Sequence, residues 1–307
     1  MKTILLGKSS LRVSRLAYGC WRIAETEEAG RTLGRAAILA AVEAGYTLFD
    51  HADIYCDGRA ESAFGAVLRE VAGLRARAVI ATKCGIRKPG EPTADAPVRY
   101  DFSREHIVWS CEQSLRRLGI ETIDLYQLHR PDWLMNPAEV AAAFTQLREQ
   151  GKVREFGVSN FRPAQVAALQ SALAFPLAVN QVEISLACLE RFHDGTLDQC
   201  LAERLTPLAW SPLGGGLLGD GARRLLSWQE GYEVERILAE LDAQAAARGG
   251  TRSQVALAWL LKHPAGIVPI VGSTRPEKIR EAAGADEVEL TREQWYRLLQ
   301  AAGEKLR

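Results

Sequence analysis

Four residues of this 307-residue chain stand where apolar runs give way to reactive side chains. Asp50 ends the stretch 47–50, Lys83 ends 79–83, and His129 follows 123–128. Tyr55 lies five residues beyond Asp50. A carboxylate, a phenol, an ammonium and an imidazole gathered at one place make a proton-transfer apparatus. A free phenol titrates at about 10, too high for an efficient acid at neutral pH. A neighbouring ammonium favours the phenolate and lowers that value, while a carboxylate holds the ammonium in place. The imidazole adds a donor able to polarise a carbonyl oxygen. Taken singly, an aspartate or a lysine such as Asp50 or Lys83 also suits an ordinary surface ion pair.

Bringing the four together requires elements that end side by side. Short apolar runs at 16–19, 47–50, 79–83, 123–128, 155–159, 177–181, 207–211 and 267–271 are compact and uninterrupted, as strands buried on both faces must be. Amphipathic segments with readable ends lie between them. Asn136, Pro137 and Glu139 give a cap, a first-turn proline and an acidic third position, and Gly151 supplies the stop. Ser103 opens another helix that closes at Gly119, and Thr291 with Gln294 forms a capping box near the end. Eight strands, each followed by a helix, predict a (β/α)8 TIM barrel rather than an open doubly wound sheet. Residues 3–6 and 11–13, joined by the turn Gly7-Lys8-Ser9-Ser10, are left over as an N-terminal β-hairpin expected to cap the barrel bottom. Loops after barrel strands build the active face. The long connections 84–102 and 212–232 are therefore candidate site walls.

Composition narrows the classes of function. With 38 Lys+Arg against 38 Asp+Glu, there is no electrostatic footprint for nucleic acid or an anionic membrane. The longest apolar run, 255–261, is far short of a membrane span. The stretch Ile4-Leu5-Leu6 is too short for a signal peptide, and the six cysteines show no C-x-x-C spacing. These features predict one domain over 1–307, cytoplasmic, with reduced thiols.

The motifs carried by these elements resemble those of the aldo-keto reductase family, in order along essentially the whole chain. Phe49-Asp50-His51-Ala52-Asp53-Ile54-Tyr55 is similar to the segment bearing the family's aspartate and tyrosine. Ala81-Thr82-Lys83 resembles its lysine strand and Asp124-Leu125-Tyr126-Gln127-Leu128-His129 its histidine strand. Gly157-Val158-Ser159-Asn160-Phe161, Asn180-Gln181-Val182-Glu183, the run from Trp210 through Gly216, and Val271-Gly272-Ser273-Thr274 follow. The resemblance implies reduction of an aldehyde or ketone to an alcohol with NADP(H). It makes Tyr55 the acid/base, Lys83 its tuning charge, Asp50 the anchor of Lys83, and His129 the guide of the substrate carbonyl. It assigns Ser159, Asn160 and Gln181 to the nicotinamide carboxamide and Trp210 to the nicotinamide face. It assigns Ser211, Leu213 and Gly215 to the pyrophosphate, and Gly272, Thr274, Lys278 and Glu281 to the adenosine end. Cys56 stands where glycine is usual, and Ala282 where an adenine-contacting asparagine is common. Trp21 and Trp133, just past strands one and four, are candidate walls of a substrate pocket.

Arg275, Lys278 and Arg280 put three cations in six residues at the start of a helix. A helix N-terminus already favours anions, so this cluster suits a phosphate. Lys278 matches the family position that often carries a basic residue for the adenosine 2′-phosphate, and Arg275 stands close enough to share it. Both predict NADPH over NADH. The alternative is a solvated helix face, since Glu277 and Glu281 intervene.

Other signals point less far. Gly214 to Gly219 fits G-x-G-x-x-G, but it follows the seventh strand rather than opening an early βαβ unit. Gly7-Lys8-Ser9 has Lys2 where a P-loop needs glycine. His51, Asp53 and His129 lack a further nitrogen or thiolate, so no metal site is expected. Two other functional classes remain: a nicotinamide-binding regulatory subunit with little turnover, and a barrel aldolase using Lys83 as a Schiff base.

Overall fold

The computed structural model describes residues 1–219 and 225–306. Residues 220–224, inside the long connection expected to form a site wall, lie outside the described residues. Strands β1 (Thr3–Leu5) and β2 (Arg12–Ser14) form the antiparallel hairpin. Then come β3 (Ala17–Gly19), β4 (Leu48–Asp50), β5 (Val79–Cys84), β6 (Ile86–Arg87), β7 (Arg99–Tyr100), β8 (Ile123–Leu128), β9 (Val153–Ser159), β10 (Val179–Glu183), β11 (Thr206–Trp210) and β12 (Val268–Val271). All but the hairpin and the small β6–β7 ribbon pair in parallel and close into one barrel, β12 meeting β3 through Ile270–Ala17 and Val271–Tyr18. The eight barrel strands are the eight expected from the apolar runs. β9 starts two residues early because Val153 is buried and pairs with Ile123. The connection 84–102 is an ordered ribbon, β6 paired with β7.

Helices cover the outside, and their ends follow the chemistry of their caps. The Asn136 side chain accepts from the Ala138 N–H ahead of Pro137–Glu149, and the Ser103 side chain accepts from the His106 N–H ahead of Arg104–Leu118. Thr291 and Gln294 make the reciprocal capping box of Arg292–Ala301. Among the described residues no helix is long and apolar enough to cross a membrane.

The barrel interior is divided along its axis. At its lower end Leu48, Ala81, Leu125, Val179, Leu208 and Val268 form one apolar cluster with Leu6, Leu11 and Val13 of the hairpin. The hairpin therefore seals the base, and the Gly7 N–H donates to Thr206 Oγ1 (2.7 Å) to fasten it. An added Cβ at Gly7 would meet the Ala178 carbonyl oxygen at 2.5 Å, which only glycine avoids. At the upper end the inward-facing residues are polar: Asp50, Lys83, Gln127 and Gln181 are all buried.

The seal yields a stability prediction. Leu6 is fully buried in the basal cluster. Leu6→Ala should lower the unfolding free energy by about 2–5 kcal/mol through lost burial and a residual cavity. Urea unfolding measures this loss. A variant as stable as its parent would show that the hairpin does not close the core.

Candidate active site

The site forms where the upper strand ends converge. Beyond Asp50 the chain turns sharply: Cys56 (φ 50°), Asp57 (φ 58°) and Gly58 (φ 80°) are left-handed in succession. That curl returns the Tyr55 ring toward β5. Cys56 thus occupies a left-handed conformation that glycine adopts freely and other residues adopt at a cost. Its thiol donates to the Trp21 carbonyl (3.1 Å), fastening the turn to the loop after β3.

Lys83 is fully buried, and each of its three ammonium donors has a partner. Nζ donates to Asp50 Oδ2 (2.8 Å), to the His51 carbonyl (2.7 Å) and to Tyr55 Oη (3.1 Å). Burial works to discharge Lys83, but the Asp50 carboxylate and the Tyr55 oxygen together hold its pKa above the ordinary lysine value. Tyr55 shows the opposite balance: burial pushes the phenol up, and the Lys83 charge offsets only part of that. The expectation of a phenol lowered overall is therefore corrected. Its net direction is upward, because desolvation outweighs the neighbouring charge.

His129 packs edge-on against Tyr55, ring centroids 5.7 Å apart. Burial, then the charges of Lys83 and Arg130, push it well below the ordinary histidine value, so it is neutral. Its main-chain carbonyl accepts from Asn160 Nδ2 (3.1 Å).

A second set of side chains joins this one through Asp50, whose other oxygen accepts from Gln181 Nε2 (2.8 Å). Ser159 Oγ donates to the Gln181 carbonyl (2.8 Å), Asn160 Nδ2 donates to Ser159 Oγ (2.9 Å), and Trp210 Nε1 donates to Asn160 Oδ1 (3.0 Å). Asn160 and Ser211 are left-handed (φ 62° and 47°), turning the chain inward after β9 and β11.

These groups line a cavity of about 590 Å3. Asp50, Tyr55, His129 and Trp21 are on its wall, as are Ser159, Asn160, Gln181 and Trp210. It continues past Ser211, Leu213 and Gly215 to Gly272, Thr274, Arg275 and Lys278. Lys83 stands behind Tyr55, outside the lining. Glu281 is off the wall as well, and its Oε2 accepts from Lys278 Nζ (2.7 Å). Trp133 is not brought to the cavity: it is 85% exposed, on the outer side of the loop after β8. Ala282 does line it.

The cavity fits a dinucleotide on its own chemistry. Gly214, Gly215 and Gly216 all have positive φ, so bare backbone borders the middle stretch. A Cβ added at Gly272 would meet nothing within 4 Å, so open space borders that backbone. The far end carries Arg275 and Lys278 beside the N-terminus of the helix Pro276–Ala283.

Residues 15–302 match the sequence profile described as the Aldo/keto reductase family. The chain belongs to that family. It is 44% identical over 310 residues to a 6-dehydroglucose reductase of Novosphingobium aromaticivorans, covering 98% of this chain and 96% of the relative. It is 41% identical to the oxidoreductase YdhF of Escherichia coli, covering 98% of each. Among solved structures, an aldo/keto reductase from Klebsiella pneumoniae in complex with NADP and acetate superposes with a TM-score of 0.81 at 28% identity, covering 100% of this chain and 98% of that one.

The cavity of this aldo/keto reductase is also lined by residues that no sequence pattern singled out. Trp228, from the connection after β11, lines the cavity and meets the Trp210 ring edge-on at 6.4 Å. It is held by buried Glu183, which accepts from Trp228 Nε1 (3.0 Å) and Gln229 Nε2 (2.6 Å). Glu183 ends the motif Asn180-Gln181-Val182-Glu183, but its tryptophan partner lies 45 residues on, beyond any local pattern. Arg130 also lines the cavity. Its signal was simple adjacency to His129.

Two ionisable groups beside the turn that carries Tyr55 have opposite pH dependences. His51 packs edge-on against Phe64 with neither ring nitrogen partnered, and burial, then the Lys83 charge, push it down to about 3. The stability it gives is present above its ordinary value and is lost as pH falls toward that figure. Asp53 Oδ2 accepts from Ser110 Oγ (2.7 Å) while Oδ1 is buried without a partner. Burial pushes Asp53 up to about 7, only partly countered by the Ser110 bond. The folded protein therefore holds this proton more tightly than the unfolded chain, and stability falls as pH rises from the ordinary aspartate value of 3.8 to about 7. Asp53→Asn keeps an acceptor for Ser110 but cannot ionise. Its urea midpoint relative to the parent should rise between pH 4.5 and pH 7.5, roughly the window of this shift. A constant difference at the two pH values would show that Asp53 does not titrate in the folded protein.

Proposed function

We propose that this aldo/keto reductase reduces an aldehyde or ketone to an alcohol with NADPH, and that Tyr55 supplies the proton. The observation that carries the reading is the bond from Lys83 Nζ to Tyr55 Oη. An ammonium only donates, so the phenol oxygen accepts there and its own hydrogen is free to point elsewhere. Tyr55 lines the cavity, so the carbonyl oxygen of a substrate is where that hydrogen goes. His129, neutral, donates from its ring to the same oxygen and orients it. As negative charge grows on that oxygen, Tyr55 Oη gives up its proton and Lys83 stabilises the phenolate left behind.

A bound nicotinamide supplies the hydride for the carbonyl carbon. Ser159, Asn160 and Gln181 would hold its carboxamide and Trp210 would cover the ring. Ser211, Leu213, Gly215, Gly272 and Thr274 would line the diphosphate and adenosine path. Lys278 and Arg275 would take the 2′-phosphate, Lys278 sharing its charge with Glu281. The NADP held by the structural neighbour and the place of these cations at a helix N-terminus support NADPH over NADH. The aldolase reading loses support, since a Schiff base needs a neutral amine and Lys83 is held charged.

The test is loss of reduced-nicotinamide absorbance with aromatic, aliphatic and sugar aldehydes. Tyr55→Phe should cut kcat by about 10²–10⁴ while leaving the NADPH dissociation constant nearly unchanged, because ring packing is retained. Parental kcat in Tyr55→Phe would place the acid elsewhere. Fluorescence titration should show tighter binding of NADPH than NADH, and the double variant Lys278→Ala/Arg275→Ala should erase the difference. Equal affinities in the parent would remove the 2′-phosphate assignment and leave the reductase reading standing.

A further inference from the structure

The reaction chamber holds a cation, Arg130, that makes no hydrogen bond or ion pair with any of the described residues. It follows His129 directly, lines the same cavity, and is half-buried. Its guanidinium carbon lies 5.6 Å from the centroid of the Trp210 ring. Its charge reaches both reacting groups, lowering the proton affinity of Tyr55 and of His129. Asp50, the one carboxylate on the described cavity wall, is already engaged by Lys83 and Gln181.

A guanidinium carries five N–H donors in a planar fork and accepts nothing. A ligand that displaces solvent from this half-buried fork must bring oxygens to its donors, or leave them covered and unpaired at a cost in free energy. Among the other walls, Trp21, Trp210, Trp228 and Ile54 present ring faces and carbon surface, and the second guanidinium on the lining, Arg22, lies over the Trp21 ring with its carbon 4.2 Å from the centroid. Such walls cover the carbon skeleton of a substrate but cannot by themselves reject a bare hydrocarbon chain.

We infer that Arg130 is the specificity-determining residue of this site, and that it selects a carbonyl compound whose carbon chain carries acceptor oxygens. The reading rests on the reductase function proposed above. The carbonyl oxygen is met by Tyr55 and His129, and further oxygens on the same molecule are met by the Arg130 fork. The oxygens come from hydroxyl groups or from a carboxylate; both satisfy the fork, the carboxylate with added charge.

The test uses four-carbon aldehydes of one length with NADPH: butanal, dihydroxybutanal and succinate semialdehyde. One or both oxygenated compounds should exceed butanal in kcat/KM by about 10- to 100-fold, the range of hydrogen bonds to a charged group. The gain should fall mainly in KM. In Arg130→Met the ratio to butanal should collapse toward one. Arg130→Lys keeps charge but not the fork, so it retains the advantage of the carboxylate and loses that of the hydroxyls. Added salt weakens only the carboxylate arm.

Equal kcat/KM for the three aldehydes in the parent would overturn the inference without any variant. It would also fall if Arg130→Met slowed all three in parallel with the ratio intact, since Arg130 would then only tune Tyr55 and His129. Weakened NADPH binding with an unaltered ratio would instead assign Arg130 to the cofactor. Binding separates this inference from the reductase reading. If none of the aldehydes is reduced, tighter binding of succinate or butanetriol than of butanol, lost in Arg130→Met, still establishes the oxygen-recognising fork. Equal weak binding of all three would refute it.

Discussion

One buried cation organises the mouth of this barrel. Taking an ammonium out of water costs several kcal/mol unless charge and hydrogen bonds replace the solvent around it. Lys83 meets that demand with Asp50, the His51 carbonyl and Tyr55, one acceptor for each donor. The arrangement leaves no freedom. Asp50 must be a carboxylate, the chain after β4 must present its carbonyl, and the phenol must offer its oxygen rather than its hydrogen. The direction of the Tyr55 proton follows from the donor-only character of its neighbour. Because the second oxygen of Asp50 holds Gln181, the same cation fixes part of the surface proposed for the nicotinamide.

The barrel makes this site possible by separating two kinds of interior. Its base is closed by apolar side chains, with the hairpin adding Leu6, Leu11 and Val13 to the barrel's own. The polar residues that face inward lie toward the upper strand ends, where Asp50, Lys83 and Gln181 are hydrogen-bonded to one another and to the chain after β4. The register of β4, β5 and β8 brings Asp50 beside Ala81 and Lys83 beside Gln127, so the polar groups of the site rise from neighbouring strands at similar heights. The left-handed residues at 56–58, 160 and 211 occur at the same rim, where sharp turns aim side chains inward.

The repeated alternation of apolar runs and capped helices was enough to read the barrel, and the leftover hairpin was legible because it did not fit the count. The tetrad was readable because each polar residue interrupts or follows a buried strand. What lay beyond reach was set by distance and balance. Trp21 and Trp133 both stand in the loop that follows a barrel strand, yet only Trp21 turns toward Tyr55, with ring centroids 6.2 Å apart. Nothing in residue type distinguishes the two. The Glu183–Trp228 clasp depends on where a long connection folds back. The upward net direction at Tyr55 could not be read either, because residue types reveal the neighbouring charge but not the depth of burial that outweighs it.

The central claim, that the Lys83 charge holds the proton affinity of Tyr55 below what burial alone would set, is tested most directly by running the proposed reaction backward. In the proposed mechanism run as alcohol oxidation with NADP+, the Tyr55 phenolate would be the base, so the rate would climb with pH as the phenol ionises. Lys83→Met removes the charge that favours the phenolate. The account predicts that its rising limb, scaled to its own maximum or highest measured rate, comes in about one pH unit or more above that of the parent. Superimposable scaled profiles would contradict the account, because the ammonium would then have no hold on the proton of Tyr55.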